Sequence, residues 1–105
     1  MADKKSKGGP SARADIDAIG SKLRQACLAC VEADETLMFV DGHDDAIVGV
    51  ADREGVSVVV YDSKKVIRRL RARDGMSRDE AEEFFAFNIA GSWHGNMTPF
   101  FVRRI

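Results

Sequence analysis

Ala46-Ile47-Val48-Gly49-Val50-Ala51-Asp52-Arg53-Glu54-Gly55-Val56-Ser57-Val58-Val59-Val60-Tyr61 is the stretch that decides the fold. Two runs rich in β-branched residues flank Asp52-Arg53-Glu54-Gly55, where glycine supplies the positive φ of a tight turn. The reading is an antiparallel hairpin. Residues 56–61 are apolar almost without a break, the pattern of a central strand covered on both faces. Upstream, Leu37-Met38-Phe39-Val40 stops at the turn signal Asp41-Gly42 and predicts a further short strand. Downstream, Thr98 to Val102 predicts a closing strand. Pro99 stands at its beginning, where a missing N–H does least harm.

Helical periodicity fills the remainder. Ile16, Ile19, Leu23, Ala26, Cys27, Cys30 and Val31 recur at three- and four-residue steps and predict a helix from about Asp15 to Asp34. Asp62 or Ser63 can cap a second helix, Lys64 to about Arg73, with Val66, Ile67 and Leu70 on its buried side. Asp74-Gly75 ends it. Ser77 and Glu80 fit a capping box for a third helix that runs to about Ala90 and stops at Gly91. Residues 1–13, basic and broken by Gly-Gly-Pro, read as a flexible tail. The expectation is a single small α+β domain over 14–105, ordered α-β-β-β-α-α-β. Three or four antiparallel strands pack with three helices.

The chain has 105 residues, enough for one domain. Its net charge of −1 gives no global field toward nucleic acid or membrane. No apolar run approaches the ~18–20 residues that cross a bilayer. No apolar stretch follows Lys4, Lys5 and Lys7, so a secretory signal is not indicated and a cytoplasmic location is expected. A domain of this size gains stability from a partner subunit, which favours a homo-oligomer. The two cysteines form Cys27-Leu28-Ala29-Cys30 inside the first helix, beside its apolar stripe. Core packing is the expectation there, since redox pairs usually begin a helix and structural zinc needs two more ligands. Asp41-Gly42-His43-Asp44-Asp45 reads as a plain turn. It lacks the ligand pattern of a calcium loop. No phosphate loop, nucleophile elbow or metalloprotease motif is present, so neither a cofactor nor a catalytic residue is expected.

Six of the eight aromatic residues lie between Phe84 and Phe101. Helical spacing places Ala81, Phe84, Phe85 and Asn88 on one face. An amide on that stripe needs a partner: the backbone of the turn that follows, or a ligand or second chain. Phe87 falls off the face, where it packs elsewhere, covers a subunit interface or stacks on a planar ligand. Gly91-Ser92-Trp93-His94-Gly95-Asn96 is a glycine-bounded loop. Either Trp93 plugs it into the core, or Trp93 stacks on a base-like ring while His94 and Asn96 read its edge. Six cations, Lys64, Lys65, Arg68, Arg69, Arg71 and Arg73, crowd the second helix. They bind phosphate, meet an acidic partner, or are neutralised by Asp79, Glu80, Glu82 and Glu83 of the next helix.

Tyr61-Asp62, Arg73-Asp74-Gly75-Met76-Ser77, Glu80-Ala81, Phe84-Phe85, Phe87-Asn88, Gly91, Trp93, Gly95 and Thr98-Pro99 together resemble a family of small proteins encoded in tailed-phage and prophage genomes. Asp44 to Val50 resembles it too. The N-terminal helix lies outside. The resemblance implies a phage-type origin, action in the host cytoplasm and no particular chemistry. Small phage proteins without catalytic motifs act by analogy as stoichiometric binders. The leading expectation is therefore a non-enzymatic binder of a nucleotide-like or phosphorylated ligand, such as an anti-defence sponge. Phe87, Asn88, Trp93, His94 and Asn96 would supply stacking and edge contacts. Arg68, Arg69 or Arg71 would hold phosphate, from the same or a neighbouring subunit. The alternatives are an inhibitor or adaptor of a host protein, and a nucleic-acid-associated accessory protein.

Overall fold

The hairpin is present in the computed structural model, which describes the backbone of residues 9–105 and side chains from Ala18 onward. Strand β1 (Ile47–Arg53) pairs antiparallel with β2 (Val56–Asp62), and Arg53 stands opposite Val56. The two-residue loop between them has φ of 50° at Glu54 and 86° at Gly55. Both loop residues are left-handed, as a turn matched to strand twist requires. A bulge lies between Ile47 and Gly49. Val58 and Val59 point to opposite faces of β2 and both are fully buried, so this is the covered central strand that its composition implied.

Helix α1 (Gly9–Ala29) precedes the hairpin. It ends earlier than its periodicity suggested, with the Cys30 amide closing a tight last turn on the Cys27 carbonyl (3.0 Å). Cys27 is buried in the core, whereas Cys30 is exposed, which corrects the expectation that both pack inside. Ile19 is also exposed. Helix α1 also begins earlier than expected: of residues 1–13, read as a tail, 9–13 belong to α1, while residues 1–8 and the side chain of Ile16 lie outside the described range.

Local chemistry sets the next two helices. The Asp62 carboxylate caps α2 (Ser63–Asp74) by accepting from the Lys64 and Lys65 amides. Gly75 ends α2 at φ 69°. Ser77 and Glu80 form the complete capping box of α3 (Arg78–Phe84). Hydrogen bonding to the Ser77 amide holds the exposed Glu80 carboxyl below the ordinary carboxylate value. Val66 and Leu70 of α2 and Ala81 of α3 are buried in the core with Ile47, Val59 and Tyr61.

The molecule is thus a small single α+β domain of three helices and three strands. Two details of the strands also differ from the sequence reading. Residues 37–40 form no strand, because the Val40 amide donates to the Tyr61 hydroxyl (2.7 Å) instead of joining a backbone ladder. The closing strand β3 (Phe100–Val102) pairs with β2 in parallel, so the sheet is mixed, in the order β1-β2-β3. A hairpin cannot connect parallel strands, and α2 with α3 serves as the crossover. No described helix is long and apolar enough to cross a membrane.

Candidate functional site

Between α3 and β3 the backbone does something that periodicity does not announce. The helix widens into a π-helical segment, Phe85–Ala90. Gly91 makes room for it: a Cβ there would stand 2.5 Å from the Ala86 carbonyl oxygen. The wider turn alters which residues face inward. Ala81, Phe85 and Ile89 pack against the core, while Phe84, Phe87 and Asn88 are exposed. Asn88 is therefore not the buried amide that a regular helix predicts. π-helical turns occur often at functional sites.

The loop that follows is knitted by one hydroxyl. Thr98 Oγ1 accepts from the His94 amide (2.7 Å) and donates to the Gly95 carbonyl (2.7 Å). Gly95 has φ 91°. Arg53 reaches in from the hairpin and donates to the Asn96 and Thr98 carbonyls (2.9 and 2.8 Å). Its guanidinium lies over the rings of Trp93 (5.0 Å) and Phe100 (4.4 Å). Trp93 is 64% exposed and plugs no core.

These elements enclose a cleft of about 300 Å³. Met38, Phe39 and Val40 form one wall, Asn88 and Ile89 the other, and Pro99 and Phe101 add apolar surface. Ser92, His94 and Thr98 contribute polar groups. The Phe101 ring stacks on Tyr61 (5.6 Å) and meets Phe85 edge-on (5.2 Å). Burial pushes the Tyr61 phenol up to about 12, against the opposing pull of the Val40 N–H whose bond its oxygen accepts. Ser92 donates to the Asn88 carbonyl (3.1 Å). The Asn88 amide and the His94 imidazole make no hydrogen bond among the described residues. The set offers donors and acceptors to the edge of a guest above apolar surface, the usual composition of a small-molecule site.

The expected ligand residues divide between places. Asn88 and His94 share this cleft. Phe87 lines a neighbouring recess with Met76, Glu80, Glu83 and Phe84, and Asn88 borders both that recess and the cleft. Trp93 lies on the Arg53 side, and Asn96 meets Arg53 through its backbone. Arg68 and Arg69 line a groove with Ile19, Lys65 and Ala72, and Arg71 is exposed on α2. No arginine lines the Asn88–His94 cleft. Met38, Phe39, Ser92 and Thr98 were not anticipated. Only the loop's density of polar residues hinted at the last two.

The Asp41–Asp45 turn proves to be a junction. Arg24 of α1 grips Asp44 with two bonds (2.7 and 2.8 Å) and covers the Phe39 ring (4.1 Å). Its bond to Asp44 raises the Arg24 pKa. Arg69 pairs with Asp45 (3.0 Å), and Arg73 donates to the Gly42 carbonyl (2.8 Å) and pairs with Asp74. Among the described residues no ion pair joins α2 to α3, which corrects the expected neutralisation of one by the other. Arg78 pairs instead within α3, with Glu82. Gly20 permits this closeness, since a Cβ there would touch Asp44. No group of three or more described His, Cys, Asp or Glu residues is arranged to hold a metal ion.

His43 sits inside this junction, buried, with Nδ1 lacking a hydrogen-bond partner among the described residues. Burial, then the nearby Arg73 and Arg69 charges, lowers its pKa from the ordinary 6.5, against the opposing pull of Asp45 and Asp74. A depressed histidine favours the neutral form in the fold. Its contribution is complete above the unfolded value and is lost as pH falls toward the folded one. Urea unfolding midpoints should therefore drop between pH 7.5 and 5.5. His43→Asn should flatten that part of the profile. Equal slopes for both proteins would remove His43 as its source.

A comparison with known protein families, with curated proteins and with solved structures finds no match to this chain.

Proposed function

We propose that the chain is a non-enzymatic binding protein that takes a planar, nucleotide-like small molecule into the Asn88–His94 cleft. The observation that carries this is a largely apolar cleft whose two uncommitted polar side chains, Asn88 and His94, sit on its lining. A base-like ring would lie against Ile89, Pro99 and Phe101. Its hydrogen-bonding edge would meet the amide and the imidazole. Phosphates would extend away from the apolar surface, where Arg68 or Arg71 of a second copy would supply the cation, since Arg69 is paired with Asp45. Resemblance to small tailed-phage proteins supports a stoichiometric role. A sponge for a host-made signalling nucleotide is the biological form that suits it.

The test is a thermal-shift screen of the full chain against nucleosides and mono-, di- and cyclic nucleotides at about 100 µM. A ligand present at about 100 times its dissociation constant adds roughly 2.7 kcal/mol, a shift of about ten degrees in a domain of this size. Asn88→Ala and His94→Ala should each diminish the shift, and Arg71→Ala of the remote helix should matter only for phosphorylated ligands. A flat screen, or a shift indifferent to Asn88 and His94, would reject the cleft as the site.

A further inference from the structure

Phe87 is 74% exposed, an unusual position for a phenylalanine. It lies in a recess of about 390 Å³ with Phe84 and Met76, edged by Glu80 and Glu83. Lys65 and Arg68 edge a groove of about 270 Å³ between α1 and α2, whose lining also holds the mutually paired Asp45 and Arg69 and so keeps an excess of positive charge. The exposed Ile19 and Ala72 give that groove an apolar lining. The two surfaces complement each other. One offers an exposed ring with carboxylates beside it, and the other an apolar slot with cations beside it. Among the described residues, Glu83, Lys65 and Arg68 make no ion pair. Each is available to a second molecule, and a net charge of −1 adds little repulsion between copies.

We infer that this chain self-associates by seating Phe87 of one copy in the Ile19–Ala72 groove of another, with Glu83 and Glu80 meeting Lys65 and Arg68. The second copy is favoured over other partners because one sequence supplies both halves, matched in charge and in apolar character. Such a contact joins unlike patches. It closes when the rotation between copies returns on itself, as a dimer with the contact made twice or as a small ring. Aromatic anchors surrounded by polar rims are where binding energy concentrates, and rim charges mainly set salt dependence and orientation.

Sedimentation velocity of the full chain over a range of concentrations, at low and high NaCl, reads the association directly. The expected result is an oligomer that weakens as salt rises. Phe87→Ala should weaken it about tenfold or more. Glu83→Lys alone and Arg68→Glu alone should each weaken it. An equimolar mixture of those two variants should recover part of it, because each contributes one complementary pair. All three positions are exposed, and circular dichroism verifies that the variants are folded. A monomer at every concentration would overturn the inference, including one whose basic groove retains DNA or RNA with steep salt dependence. So would an oligomer indifferent to Phe87, or a mixture that recovers nothing.

Discussion

Tyr61→Ala is expected to cost about 3–5 kcal/mol, enough to bring a domain with a total stability of about 5–15 kcal/mol close to unfolding. Three separate contacts meet on this side chain. The ring is fully buried, it stacks on Phe101 of β3, and its hydroxyl holds the Val40 amide. Tyr61→Phe separates the parts. It keeps the ring and leaves the Val40 N–H without its partner, for a loss of about 1–3 kcal/mol. Urea denaturation of both variants measures the difference. If the phenylalanine variant matched the native protein, the hydroxyl would have no role in holding residues 37–40. Since those residues wall the cleft, Tyr61→Phe should also weaken any ligand bound there without touching it.

Gly91→Ala is the second large effect. Its φ of −80° suits any residue, so alanine suffers no backbone strain and would even gain in chain entropy. The loss comes from contact alone, a Cβ 2.5 Å from the Ala86 carbonyl oxygen. Backbone is the obstacle, so no side chain can swing aside. A loss of about 1–3 kcal/mol is expected, of the size that overpacking produces. The π-helical segment should relax toward a regular helix, displacing Asn88 and Ser92. Amide chemical shifts of residues 85–92 would report that change, and unchanged shifts with unchanged stability would contradict the steric account.

The same segment marks where the sequence stops being readable. Asp62, Gly75 and the Ser77–Glu80 pair act on atoms two to four residues away, so their roles can be read from the chain alone. The hairpin is equally local, with Glu54-Gly55 at its tip. Reading fails where a distant group decides. Leu37–Val40 has strand-forming residues, but a phenol from β2 takes the amide that a ladder would need. Asn88 falls on the buried stripe only if every turn has 3.6 residues, and the π-helical segment does not. The Asp41–Asp45 turn looks plain until Arg24, Arg69 and Arg73 arrive from two different helices. The cleft was legible in part. Asn88 and His94 were anticipated, whereas the wall opposite them comes from a segment some fifty residues earlier and carries no periodic signal.

The parallel pairing of β2 with β3 has a consequence for the order of assembly. The hairpin can close early, because its strands are joined by two residues. β3 cannot dock until the whole of 63–99 has coiled into its helices and returned, and closing so long a loop carries an entropic cost before any contact repays it. Phe101 and Pro99 reach the cleft only in that last step. The chain therefore acquires its cavity at the moment its final strand locks, and a molecule caught short of that step would hold a hairpin and helices but no pocket to fill.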